Sequence, residues 1–152
     1  MNPISPEQAA AWGRGRWHPR TPPGSLRALA VDSRQAGPGS LFFALKGEKA
    51  DGHDFLAAVA AAGAAAVVRA DFPEDRLPAA GFCLRVDDVL AALGRIAAGY
   101  RATLPARLVG VTGSVGKTST KELIADLLAA LGKTARTAGN YNNEIGLPLS
   151  VA

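Results

Sequence analysis

Gly110 to Thr120 read GVTGSVGKTST, two glycine-spaced turns ending in Lys-Thr-Ser-Thr. The general phosphate-loop pattern is G-x-x-x-x-G-K-[ST] between a strand and a helix. Gly116, Lys117 and Thr118 satisfy its end, but Val111 stands where its first glycine belongs, with Gly110 and Gly113 nearby. The chemistry still suits a phosphate chain. Glycines permit a tight path with amides turned inward, and a helix N-terminus adds a positive end for phosphate oxygens. Gly113, Ser114, Val115, Gly116, Lys117, Thr118 and Ser119 are therefore the candidate nucleotide-binding residues. Lys117 is the candidate catalytic cation toward the β and γ phosphates of ATP, and Thr118 the candidate hydroxyl for Mg2+. The bland alternative is a glycine-rich strand-to-helix turn with an incidental Lys-Thr pair. Phosphate binding alone leaves GTPase, kinase, ATPase and ligase open.

The loop needs a strand before it and a helix after it. RLVGVT (residues 107–112) is expected as that strand, and Lys117 to Leu131 as an amphipathic helix with Leu123, Ile124, Leu127, Leu128 and Leu131 on one face. KTART (133–137) reads as a short strand, and Pro148 as the opening of another helix. Upstream, Ser5, Pro6 and Gln8 form a helix start with a capping box, and the helix ends by Gly13. GRGRWHPRTPPG is read as a loop, LRALAVD as a strand closing on Asp32, and LFFAL (41–45) as a buried strand. Asp54 is expected to cap a helix through Phe55, Leu56, Val59 and Ala62. AAAVVRA and Phe82 to Val86 are two more strands, and DDVLAALGRIAAGYRATL a helix begun by an aspartate. Strand, helix and strand in that order make a parallel crossover unit. The expected fold class is α/β: a small domain over 1–104, then, past Pro105, the first strand, loop and helix of a phosphate-loop domain over 105–152.

Of 152 residues, 48% are hydrophobic and 20% charged, which is ordinary for a folded globular chain. The net charge of +4 is concentrated in Arg14, Arg16, His18 and Arg20, read as a solvated basic loop because no nucleic-acid reader motif accompanies it. No nucleic-acid partner is expected. The lone Cys83 offers neither a disulfide nor metal-ligand spacing, and sits in an apolar run as a core residue. Trp12, Trp17 and Tyr100 read as packing residues. No run reaches the roughly 18 apolar residues of a membrane span, and no signal peptide is visible, so a cytoplasmic protein is expected. Few residues follow Pro105 for a domain of several parallel strands, so the sequence reads as a piece of a longer protein.

VTGSVGKTSTKE resembles the nucleotide loop of the Mur ligase family, whose members carry T-G-x-x-G-K-T in this displaced form. The stretch from Asp32 to Val68 is similar to the N-terminal uridine-nucleotide domain of the members that add the third and the last residues to the peptidoglycan stem. Gly139 to Ser150, GNYNNEIGLPLS, resembles the segment after the loop helix in the last-acting of these ligases. Val115 departs from the polar residue common at that position. The resemblance implies an ATP-dependent, Mg2+-requiring amide ligase of peptidoglycan precursor synthesis: ATP phosphorylates the carboxylate of UDP-MurNAc-tripeptide, and the amine of D-Ala-D-Ala attacks the acyl phosphate. The alternatives are the ligase adding the third stem residue, and a non-catalytic uridine-nucleotide-binding or regulatory phosphate-loop protein.

Such a substrate asks for uracil, ribose and diphosphate recognition. Ser33 and Arg34 lie just past a predicted strand end, where open α/β sheets expose their binding crevice, and Lys46, Gly47 and His53 lie past the next. These are the candidate substrate residues, with Asn140, Asn143 and Glu144 toward the γ-phosphate, metal or incoming substrate. Each has a structural alternative: Asp32 to Arg34 as a turn with an internal salt bridge, Asp51 to Asp54 as a helix entry, and the asparagines as turn formers. The chain alone is expected to be inactive, because the remaining magnesium carboxylates, a modified lysine and the acceptor-binding domain would lie beyond Ala152. Its unfinished sheet edge predicts poor solubility or association. The complete enzyme is expected to be a monomer.

Overall fold

The computed structural model describes residues 1–48, 50–137 and 143–151. Helix α1 spans Pro6–Gly13 and opens as expected: the Ser5 side chain accepts from the Gln8 amide while the Gln8 side chain accepts from Ser5 N–H. Strands β1 (Arg16–His18), β2 (Ala28–Ala30), β3 (Ser40–Phe43), β4 (Ala65–Arg69) and β5 (Cys83–Val86) form a single sheet in the order β1-β5-β4-β3-β2. Strands β2 to β5 are parallel, and β1 runs antiparallel to β5. Helices α2 (Leu56–Ala61) and α3 (Val89–Thr103) complete the first domain, followed by α4 (Lys117–Ala129) and α5 (Gly146–Val151).

The apolar runs are explained by burial on both sides of the sheet. Alternate residues of β3 face opposite ways: Leu41 and Phe43 join the cluster containing Val89, Leu93 and Ile96 of α3, while Phe42 and Ala44 join Leu56 and Val59 of α2. Strand β4 divides likewise, Val67 to one cluster and Val68 to the other. Full burial of Phe42 or Phe43 contributes about 2 kcal/mol or more relative to an exposed ring. Helix α3 starts at an aspartate as expected, Asp88 accepting from the Ala91 amide at 2.8 Å. Tyr100 and Trp12 pack on the α3-side core, and the Trp17 indole donates to the Pro6 carbonyl at 2.9 Å.

Five expectations are corrected. The basic stretch expected as a loop contains β1, whose pairing with β5 is a long-range contact. The cap before α2 is Asp51, which accepts from His53 N–H and starts a 3-10 turn at Gly52–Phe55, so the α-helix begins only at Leu56. Residues 107–112 and 133–137 form no strand. A strand needs a hydrogen-bonding neighbour, and no described strand lies beside either segment. The 133–137 segment is instead tied to α4: Arg136 pairs with Glu122 at 2.6 Å and Asp126 at 2.8 Å. Pro148 does not open α5, which begins two residues earlier at Gly146. Ile145 and Leu149 pack against the α3-side cluster, so the segment after the loop helix returns to the first domain.

Candidate functional site

The glycine-rich loop is built as a phosphate cradle would be. Gly116 sits at φ +79 as the residue before α4, and no side chain caps that helix. A residue with a Cβ pays about 1 kcal/mol or more to adopt such a φ. The first amides of α4 are thus left without a side-chain acceptor, at the positive end of the helix dipole. Gly113, at φ +148, makes the preceding bend. Lys117 is half-buried, and its ammonium donates to the loop's own Gly113 and Ser114 carbonyls. No described carboxylate pairs with it. Ser114, Val115, Thr118 and Ser119 are exposed, Val115 at 90%. The apolar face expected on α4 exists but is uncovered, with Leu123 65% and Leu127 73% exposed; the helix ends at Ala129, short of the expected Leu131, which is 85% exposed in the turn beyond it.

Asn143 serves as the cap of α5: its Oδ1 accepts from Gly146 N–H at 2.6 Å and Ile145 N–H at 3.3 Å. Beside it, exposed Glu144 faces a cleft of about 570 Å³ lined also by Asp88, Leu90, Leu147 and Pro148, between the start of α3 and the start of α5. Asn140 lies outside the described residues. Among the described residues no group of three or more His, Cys, Asp and Glu side chains is placed to hold a metal, so Thr118 would supply a single oxygen to a shared ion.

Ser33 and Arg34 follow β2, and Lys46 and Gly47 follow β3, so the two pairs lie past the carboxyl ends of adjacent parallel strands. Asp32 caps the 3-10 turn Ser33–Gln35 through the Arg34 amide and grips the Arg34 guanidinium at two points, 2.9 Å at Nε and 2.6 Å at Nη2. The Arg34 side chain and then its amide hold the Asp32 carboxyl down at about 2, against a small opposing effect of burial. Arg34 is 87% exposed on its side chain and points its pairing inward on Asp32. The loop carrying Lys46 and Gly47 closes on itself: the backbones of Lys46 and Asp51 pair in an isolated antiparallel bridge, and Gly52 N–H donates to the Leu45 carbonyl at 2.8 Å. Lys46 and Gly47 themselves are exposed.

His53 is 5% exposed and both ring nitrogens are engaged. Nε2 accepts the Arg69 backbone N–H at 3.2 Å, so Nδ1 carries the proton and donates to Asp51 Oδ1 at 2.7 Å. Its ring stacks on Phe72 at 4.7 Å. Burial raises the Asp51 carboxyl, but the amide and ring of His53 outweigh it and leave the group below its ordinary value. The geometry supports the helix-entry alternative for His53. The sequence reading passed over Asp51 and Phe72 as its partners. The D-x-H spacing was the available signal, since two residues separate a cap from the first turn it closes.

A sequence family described as the Mur ligase family, catalytic domain, matches residues 25–101, and the Mur ligase middle domain matches residues 111–152. The chain belongs to the Mur ligase family. Among its relatives, the UDP-N-acetylmuramoyl-tripeptide–D-alanyl-D-alanine ligase of Synechocystis is 48% identical over 123 residues, covering 81% of this chain and 27% of that protein. The Escherichia coli ligase of the same name is 45% identical over 84% of this chain and 27% of its own length. A crystal structure of MurF from Acinetobacter baumannii superposes with a TM-score of 0.89 at 36% identity, covering 99% of this chain and 33% of that one. MurF from Thermotoga maritima in complex with ADP gives a TM-score of 0.69 at 35% identity over 82% of this chain and 28% of that one. The chain spans about a third or less of the length of these relatives. No helix among the described residues is long and apolar enough to cross a membrane.

Proposed function

We propose that this chain is the uridine-nucleotide-binding domain and the opening of the ATP-binding domain of a cytoplasmic, monomeric ligase that joins D-Ala-D-Ala to UDP-MurNAc-tripeptide, with the division falling between Leu104 and Pro105. The observation that carries this reading is the uncapped start of α4 behind Gly113 and Gly116, in a chain similar over both halves to ligases of that name. The donor set fits a polyphosphate: uncapped amides, an ammonium with no acid partner among the described residues, and a hydroxyl on the first helical turn.

In this reading the amides from Ser114 to Ser119 hold the β and γ phosphates of ATP. Lys117 leaves the Gly113 and Ser114 carbonyls to neutralise charge growing on the transferred γ-phosphoryl group. Thr118 would hold Mg2+ through one oxygen, and the ion would supply Lewis-acid polarisation of that group. The substrate carboxylate accepts the phosphoryl group and ADP departs; the amine then attacks the carbonyl carbon and inorganic phosphate leaves. Asn143 fixes the start of α5, and Glu144 beside it takes the side facing the reacting groups. Ser33, Arg34, Lys46 and Gly47 contact the uridine diphosphate, while His53 holds the loop beneath them.

Titration of this chain with UDP-MurNAc-tripeptide and ATP tests binding, and phosphate release by the protein that carries it tests turnover. Release that needs both the tripeptide substrate and D-Ala-D-Ala is expected. Release with a diamino acid in place of the dipeptide assigns the third-residue ligase, and binding without release a non-catalytic module.

A further inference from the structure

Arg14, Arg16 and Arg85 meet at a cleft that the proposed chemistry leaves unused. Arg14, directly after α1, has φ 56 and is the one non-glycine residue with positive φ among the described residues. Glycine or asparagine is the usual occupant of that position, because a Cβ is disfavoured there. Arg16 lies directly opposite Arg85 in the β1–β5 ladder, and like charges in opposed positions repel. Gly15 between them cannot let the chain draw back. A Cβ there would stand 2.7 Å from the Arg85 carbonyl oxygen and 2.7 Å from Val86 Cγ1, so this stretch is pressed onto β5.

With Ala70 and Asp87 these residues line a cleft of about 480 Å³. The Arg14 and Arg16 side chains make no hydrogen bond or ion pair with any described residue, their backbones being tied to the end of α1 and to β5. Arg85 is positioned by the Ala70 and Phe72 carbonyls, at 2.5 and 3.1 Å, and lies 3.7 Å from Glu74, which also meets His18 at 3.3 Å. Among the described residues Asp87 is the one carboxylate lining the cleft, against the side chains of three arginines. Two locally unfavourable choices at one place, a left-handed arginine and opposed like charges, are what a ligand-binding site retains when the ligand repays them.

We propose that this cleft is a second anion site, separate from the phosphate loop, taking a phosphate or diphosphate group through the planar donors of Arg14 and Arg16. Ala70 and Asp87 directly follow β4 and β5, so the cleft opens on the sheet edge that also carries Ser33 and Lys46. At about 4.8 Å per strand it lies roughly 10–15 Å along that edge from them.

The test is thermal unfolding and amide NMR of the chain with pyrophosphate, UDP and a short single-stranded oligonucleotide, for the wild type, Arg16→Met, Arg14→Met and Lys117→Met. Pyrophosphate at about tenfold over its Kd should raise the wild-type and Lys117→Met midpoints by about 3 °C and shift the Gly15, Arg16 and Ala70 amides. Arg16→Met, and Arg14→Met should the first fail to fold, should bind pyrophosphate about fivefold or more weakly. Without ligand, Arg16→Met should unfold no lower than the wild type, since the repulsion is gone. UDP binding that is tighter than pyrophosphate and Arg16-dependent supports the proposal with a nucleotide as the source, and equal binding supports it with a free anion. Absence of a response in Lys117→Met, an unchanged response in both arginine variants, or Arg16-dependent binding of the oligonucleotide tenfold tighter than pyrophosphate would overturn it.

Discussion

His53 accepts the backbone N–H of Arg69 at 3.2 Å, so a loop leaving β3 is pinned to the end of the neighbouring strand β4. Replacing the ring by alanine leaves that N–H without its partner, takes the ring N–H from Asp51, which keeps the backbone N–H of residue 53, and removes the stacking on Phe72. His53→Ala is expected to cost about 2–3 kcal/mol in urea unfolding. UDP binding measured well below the denaturation midpoint should fall no more than stability does. A large loss of affinity at unchanged stability would make His53 a ligand contact.

Asp32 and Arg34 give a pH signature. The carboxyl is held at about 2 in the folded chain, from an ordinary 3.8, chiefly by the Arg34 guanidinium. A lowered folded value means the pairing contributes above the ordinary value and is lost as pH falls through about 2. A carboxyl-carbon NMR titration should show that midpoint, moved back toward 3.8 in Arg34→Met. Asp32→Asn keeps an oxygen for the cap and frees the guanidinium, so UDP affinity should rise about two- to fivefold if Arg34 meets phosphate.

Lys117 and Gly116 separate charge from conformation. Lys117→Met removes a half-buried ammonium held only by loop carbonyls, so unfolding should change little while ATP affinity drops about tenfold or more. Gly116→Ala should lose affinity and also about 1 kcal/mol of stability, because φ +79 is disfavoured with a Cβ. Calorimetric titration and denaturant midpoints read the two effects.

Burial pushes the Cys83 thiol up to about 11 from 9.0, against a weaker pull from Arg85. Native chain should therefore react with thiol reagents far more slowly than urea-unfolded chain, at a rate set by unfolding. A raised folded value means that this contribution is intact below 9.0 and is lost as pH rises through about 11.

Leu127, at 73% exposure on α4, and Leu131, at 85% in the turn that follows it, leave an uncovered apolar surface. Such a face favours self-association. Leu127→Glu with Leu131→Glu should shift the chain toward monomer in sedimentation velocity without lowering its thermal midpoint.

What the amino-acid order determined by itself was local. The Ser5–Gln8 capping box, the Asp88 cap of α3, the apolar runs of β3, β4 and β5, and the glycines of the phosphate loop each rest on residues a few positions apart. What the tertiary structure decided was pairing. Arg16–His18 carries a polar, basic sequence and becomes β1 only because β5, far along the chain, offers a free edge. Residues 107–112 carry a better strand sequence, yet no described strand lies beside them, and they stay irregular. His53 has the chemistry of a ligand contact in the sequence, and only the placement of Arg69 and Phe72 around it shows its ring consumed within the fold. Caps and turns are settled by neighbours in sequence, whereas ladders, buried partners and opposed charges depend on which distant residues arrive alongside.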